Sequence, residues 1–86
     1  MKKKEIIYRI TKRNKDVLRL LWMPTNNDIA KALFISPTTV ATHLVRIRQI
    51  LGSRTKAETL ILALIRRFIT LEEIAQTMRE ESNGQR

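Results

Sequence analysis

The stretch SPTTVATHLVRIRQILG, residues 36–52, leaves the chain almost no alternative to one bounded helix. Ser36 is a preferred N-cap, its hydroxyl able to accept from a free backbone N–H. Pro37 stands at the first helical position, where no N–H is needed. Gly52 can take the left-handed conformation that ends a helix. Between these signals Val40, Leu44, Ile47 and Leu51 step by four, three and four, a single buried stripe. With two Gly and two Pro in 86 residues and little strand-type alternation anywhere, the predicted fold is all-α.

The other helices are read from the same kinds of signal. Thr11 is an N-cap, after which Val17, Leu18 and Leu21 recur at helical spacing until Pro24. Thr25 with Asp28 makes a capping-box-like start for a short second helix carrying Ile29, Ala30 and Leu33. Phe34-Ile35 forms the turn. Thr55 and Glu58 open a fourth helix through LILALIRRF. Leu60, Ile61, Leu64 and Phe68 are expected to face the core, with Leu62, Ile65 and Ile69 as a second apolar strip. Thr70 and Glu73 open a last helix with Leu71, Ile74, Ala75 and Met78 on one face, and Ser82 to Arg86 are expected to fray. Lys2 to Lys4 read as a flexible basic arm, and Glu5 to Ile10 as either an extended lead-in or an early turn of helix. The expected organisation is a basic arm and lead-in over residues 1–9, a helix-turn-helix domain over 10–69, and a C-terminal helix with its tail over 70–86.

Composition narrows the function. There is no Cys and one His, which leaves neither a disulfide framework nor a ligand set for a protein-only zinc site. No nucleophile–base pair or carboxylate pair stands out, so neither an enzyme nor a cofactor is expected. The longest apolar run, Leu60 to Ile65, is too short to span a bilayer. The basic N-terminus lacks the long apolar segment of a signal peptide, so a cytoplasmic location is expected. Net charge is +9, and residues 72–86 hold −2 of it, leaving +11 on residues 1–71. A basic body of this size favours a polyanion, because each neutralised phosphate releases condensed counterions.

Two short helices, a tight turn and a third amphipathic helix make a helix-turn-helix pattern. The runs ITKRNKDVLRLL, TNNDIAKALFISPTTVATHLVRIRQILG and TKAE resemble the LuxR/GerE-type DNA-binding domain, also called the NarL/FixJ output domain. The resemblance rests on Ile10-Thr11, Arg13, Val17-Leu18, Leu20-Leu21, Asn26, Ile29-Ala30, Leu33, Ile35-Ser36, Thr39-Val40, His43, Ile47, Leu51-Gly52 and Glu58, and spans residues 10 to about 67. It implies a four-helix domain whose third helix reads the major groove and whose fourth helix commonly makes a dimer contact. The departures are Met23-Pro24 where a Gly is usual, a link between the first two helices shorter by one residue, Asn14 for the usual Glu, Ala41 for a common Lys, and an added helix after residue 70.

On the 36–52 helix, the side opposite the apolar stripe carries Thr38, Ala41, Thr42, Val45, Arg46 and Gln49, the candidate base readers. Small side chains let the backbone approach base edges. Thr42 can donate or accept, Ala41 and Val45 can meet thymine methyls, and Arg46 or Gln49 can reach bases or phosphates. Such a face predicts modest discrimination, about 1 kcal/mol per contacted pair. Candidate phosphate contacts are Thr25, Asn26 and Asn27 at the start of the second helix, where free N–H groups favour an anion, with Ser36, Thr39, Arg48, Arg54 and Lys56 around the face. His43, at the edge of the apolar stripe, reads as a structural or phosphate-facing residue, and Trp22 as packing at the end of the first helix. The strip Leu62/Ile65/Ile69 needs cover, either the last helix folding back through Leu71, Ile74 and Met78 or a second copy of the chain. The expected assembly is a homodimer using Leu62, Ile65, Ile69, Leu71, Ile74 and Met78.

The leading function is therefore a sequence-specific regulator of transcription that binds double-stranded DNA. The alternative is a protein-interaction module that keeps the helix-turn-helix as scaffold for a larger regulator or RNA polymerase. ITLEEIA weakly suggests a further option, a promoter reader like sigma region four.

Overall fold

The computed structural model describes residues 9–84. The expected arm, Lys2 to Lys4, lies outside the described residues. Within them the chain forms five helices, α1 (Lys12–Arg19), α2 (Asn26–Leu33), α3 (Pro37–Leu51), α4 (Lys56–Ile65) and α5 (Leu71–Gly84), and no strand. This is the all-α, four-helix plus C-terminal-helix arrangement that the sequence predicts.

Hydroxyl caps set the starts. Thr11, Thr25, Ser36 and Thr55 each accept a hydrogen bond from the backbone N–H three residues on, at 3.0–3.1 Å. The box is closed at α1, where Asn14 Oδ1 accepts from Thr11 N at 2.9 Å, and ahead of α5, where Thr70 N donates to Glu73 at 3.0 Å and Glu73 N to the Thr70 hydroxyl at 3.1 Å. The other two expected boxes stay open at the backbone. Asp28 takes the Thr25 hydroxyl instead, and Glu58 takes the N–H of Arg54, one residue back, at 2.7 Å.

The helix ends depart from expectation at two places. α1 stops at Arg19, well before Pro24, and the chain continues in tighter turns, Leu20 N donating to Val17 O and Met23 N to Leu20 O at 3.0 Å. This winding puts Leu20, Leu21 and Met23 all into the core, which a continuous α-helix does not do with positions so closely spaced. The Lys56 ammonium then donates to the free carbonyls of Met23 (3.3 Å) and Pro24 (3.5 Å). α4 stops at Ile65 instead of running to Phe68. Arg67 takes a left-handed φ of 63°, and Phe68 N returns to Ala63 O at 2.9 Å, a Schellman-type closure made without glycine. α5 runs on to Gly84, past the Ser82 at which fraying is expected.

The core is assembled from Val17, Leu18, Ile29, Val40, Ile47 and Ile69, each no more than 1% exposed, with Ala30, Leu44, Leu51, Ala63 and Ile74 around them. The α3 stripe is buried as predicted. On α4 the buried positions are Thr59 and Ala63. These small side chains let α4 lie close to its neighbours, so the larger residues splay to its flanks. Ile61, expected in the core, is 55% exposed for this reason. The Thr59 hydroxyl is satisfied by Thr55 O and Ser53 Oγ, both at 2.7 Å.

Two residues assigned to the dimer face need correction. Ile69 is 1% exposed and Ile74 6% exposed, both inside the core of the single chain. The reversal at Arg67 swings Ile69 inward, and α5 folds back on α1. There Trp22 Nε1 donates to the Thr77 hydroxyl at 2.9 Å, with Thr77 within 3.2 Å of Arg19 O. The last helix thus supplies part of the cover that the second apolar strip needs. Leu62 stays half-buried, and Ile65, Leu71 and Met78 remain exposed.

Candidate nucleic-acid interface

α1, α2 and α4 pack against α3, and the residues buried on it are its apolar stripe. The stripe fixes the rotation of the helix about its axis, because residues three and four apart stack on one face. Every candidate base reader, Thr38, Ala41, Thr42, Val45, Arg46 and Gln49, is exposed on the remaining side. Val45, a β-branched apolar residue, is 56% exposed. The Thr42 hydroxyl spends its proton on Thr38 O at 3.0 Å, so toward solvent it offers a methyl and acceptor lone pairs and does not donate.

The candidate phosphate contacts divide into two groups. Asn27, Thr39 and Arg54 are exposed, and Asn26 is half-buried at the start of α2. The Thr25 and Ser36 hydroxyls are exposed but already occupied as caps, and Ser36 also shares a proton with Thr39 at 2.9 Å. The helix starts that they cap leave further backbone N–H groups without a helical partner, the kind of group that favours an anion. Arg48 and Lys56 are drawn inward. Arg48 is half-buried with Nε out of solvent and unpartnered among the described residues, and Lys56 caps the α1–α2 link.

Charge pairing leaves the α3 side positive. Asp16 holds Arg13 (2.9 Å) and Arg19 (3.1 Å), and Glu72 lies 3.5 Å from Arg79. Among the described residues neither the Arg46 nor the Arg54 guanidinium is in a salt bridge, though Glu58 takes the backbone N–H of Arg54. The acids Glu72, Glu73, Glu80 and Glu81 sit on α5, which packs against α1.

Two features escape a local reading of the sequence. Asn14 is 2% exposed, and its Nδ2 lies 3.1 Å from His43 Nδ1, joining the start of α1 to the middle of α3. The partners are 29 residues apart, so no periodicity signals the pair. Phe34 has a left-handed φ of 59° and is 93% exposed. With Trp22, Met23, Pro24 and Ala32 it lines an open cleft of about 660 Å³ rimmed by Asp28, Lys31 and Glu81. A bulky aromatic at a turn position that suits glycine is the signal that could have marked it.

No helix among the described residues is long and apolar enough to cross a membrane. Searches of curated proteins and of solved structures returned no match. The family model described as bacterial regulatory proteins, luxR family, matches residues 9–63, from the lead-in to α1 through the buried face of α4. With α1 to α4 arranged around a buried α3 stripe and the matching residues in place, the chain belongs to the luxR family of bacterial regulatory proteins.

Proposed function

We propose that the protein is a cytoplasmic transcription regulator that binds double-stranded DNA, with α3 in the major groove, as a homodimer. The observation that carries this reading is the division of α3. One side is sealed in the core, and the other holds Thr38, Ala41, Thr42, Val45 and Gln49, all exposed and mostly small or hydroxylic, with Arg46 exposed beside them. An exposed Val between Thr and Ala is costly in water and suited to a thymine methyl. The family match to a class of bacterial regulators supports it. The dimer reading rests on Ile65 of α4 with Leu71 and Met78 of α5, apolar groups left exposed in the single chain, and on the half-buried Leu62. Ile61, 55% exposed on α4, joins them. Two copies double the contacts and set a half-site spacing.

A gel shift with pooled genomic fragments over a salt series tests the reading. Specific retention is expected, with log affinity falling linearly against log salt by about 0.9 per phosphate neutralised. Absence of retention at low salt overturns it. That outcome favours the alternative, a protein-interaction module for RNA polymerase or a larger regulator. The observation on that side is the Phe34–Trp22 cleft, which shares no residue with the α3 face.

A further inference from the structure

The Asn14–His43 contact fixes more than the packing of α1 on α3. Asn14 is held to Thr11 through its backbone and its side chain. Its backbone N–H donates to the Thr11 hydroxyl at 3.0 Å, and its Oδ1 accepts from Thr11 N at 2.9 Å. The oxygen is committed to the cap, so the amide nitrogen is the atom that faces His43 Nδ1 at 3.1 Å. An NH₂ group only donates, so Nδ1 of the neutral ring must accept. The ring proton is thereby placed on Nε2. Flipping the amide to suit the other tautomer costs the cap of α1.

Nε2 has no partner among the described residues, and it is not one of their buried, unpartnered atoms. It is therefore a donor turned to solvent from a half-buried ring. Thr39, His43 and Arg46 step by four and three along α3, so they line one edge of its exposed side. The same contact brings the first turn of α1 beside that edge. A row of a hydroxyl, an N–H donor and a guanidinium, with no carboxylate in it, is complementary to phosphate oxygens.

We propose that His43 is a DNA phosphate contact, donating through Nε2–H, and that Asn14 is the positioning residue that holds the ring in the donating tautomer. This rests on the reading of α3 as the DNA-binding helix, and it adds a contact on the edge nearest α1.

The test joins ring nitrogen spectroscopy with binding. In alkaline solution, where the ring is uncharged, ¹⁵N shifts of the free protein are expected to put the proton on Nε2 in the wild type and on Nδ1 in Asn14→Asp. That variant keeps the cap oxygen but presents a carboxylate to the ring. His43→Ala weakens retention of genomic fragments about tenfold at matched salt. His43→Gln, whose amide nitrogen reaches the same place as Nε2, restores binding to within about twofold. A wild-type proton on Nδ1, or His43→Ala binding like the wild type, overturns the proposal and leaves the DNA reading intact. Equal losses in the Ala and Gln variants that track a fall in Tm also overturn it, since that marks a purely structural ring. A wild type that binds no DNA at all removes the α3 reading and the phosphate contact with it.

Discussion

Replacing Thr42 and Val45 together by Glu lowers DNA affinity by at least about 100-fold while helicity and Tm stay at wild-type values. Each base contact proposed for this face is worth about 1 kcal/mol, and two are removed. The new carboxylates are also driven against a polyanion. The fold is spared because both side chains are exposed and the stripe formed by Val40, Leu44, Ile47 and Leu51 is untouched. Circular dichroism and a gel shift at matched salt check the two halves of the statement. Undiminished binding takes this face out of the site, and a collapse of helicity would mean that the pair supports the fold.

The second large effect separates the core from the proposed self-association surface. Ile69→Ala lowers folding stability by about 2–5 kcal/mol, the range for truncating a buried aliphatic. Ile69 is 1% exposed, and its removal leaves a cavity where α5 meets the core. A small domain has only about 5–15 kcal/mol in hand, so the urea midpoint moves far. Ile69→Val, about 0.5–1.5 kcal/mol, keeps the measurement readable if the Ala variant does not fold. Ile65→Lys should behave in the opposite way. Ile65 is 67% exposed, so monomer stability changes by no more than about 0.5 kcal/mol, while the sedimenting mass falls from twice 10.1 kDa to that of one chain. A wild type that already sediments as one chain at tens of micromolar contradicts the dimer. An Ile69→Ala variant of unchanged midpoint contradicts the core assignment.

The legible parts of this fold are the ones encoded over short range. Thr11, Thr25, Ser36, Thr55 and Thr70 announce five helix starts because a cap and its partner are three residues apart. Pro37 and Gly52 bracket α3 for equally local reasons. The ends of α1 and α4 were harder to read. No Gly or Pro stands at Leu20 or Arg67, and the left-handed Arg67 is imposed by the need to bury Ile69. α4 is apolar on more than one side, and periodicity alone does not say which side meets the chain's own core. The small residues Thr59 and Ala63 settled it by permitting close approach. For the same reason the assignment of Ile69 and Ile74 to a partner surface failed, since a strip that needs cover reads alike whether α5 or a second copy provides it.

The candidate site shows the same division. The exposed side of α3 was legible because its opposite stripe is so regular. Contacts reaching across the fold were not, among them Asn14 with His43 and Lys56 with Met23 and Pro24, each pair about thirty residues apart. Lys56 and Arg48 look like free surface cations in the sequence, and both are drawn in by such long-range packing.

The most direct measurement of the central claim is an amide-resolved NMR titration of the ¹⁵N-labelled protein with a retained DNA fragment. The account predicts that the largest shift changes and line broadening fall on Thr38, Ala41, Thr42, Val45 and Gln49, with a second group at Asn26 and Asn27, while Glu72, Glu73 and Met78 on α5 move little. Perturbations centred on Phe34, Trp22 and the α5 helix, with α3 unmoved, would contradict it.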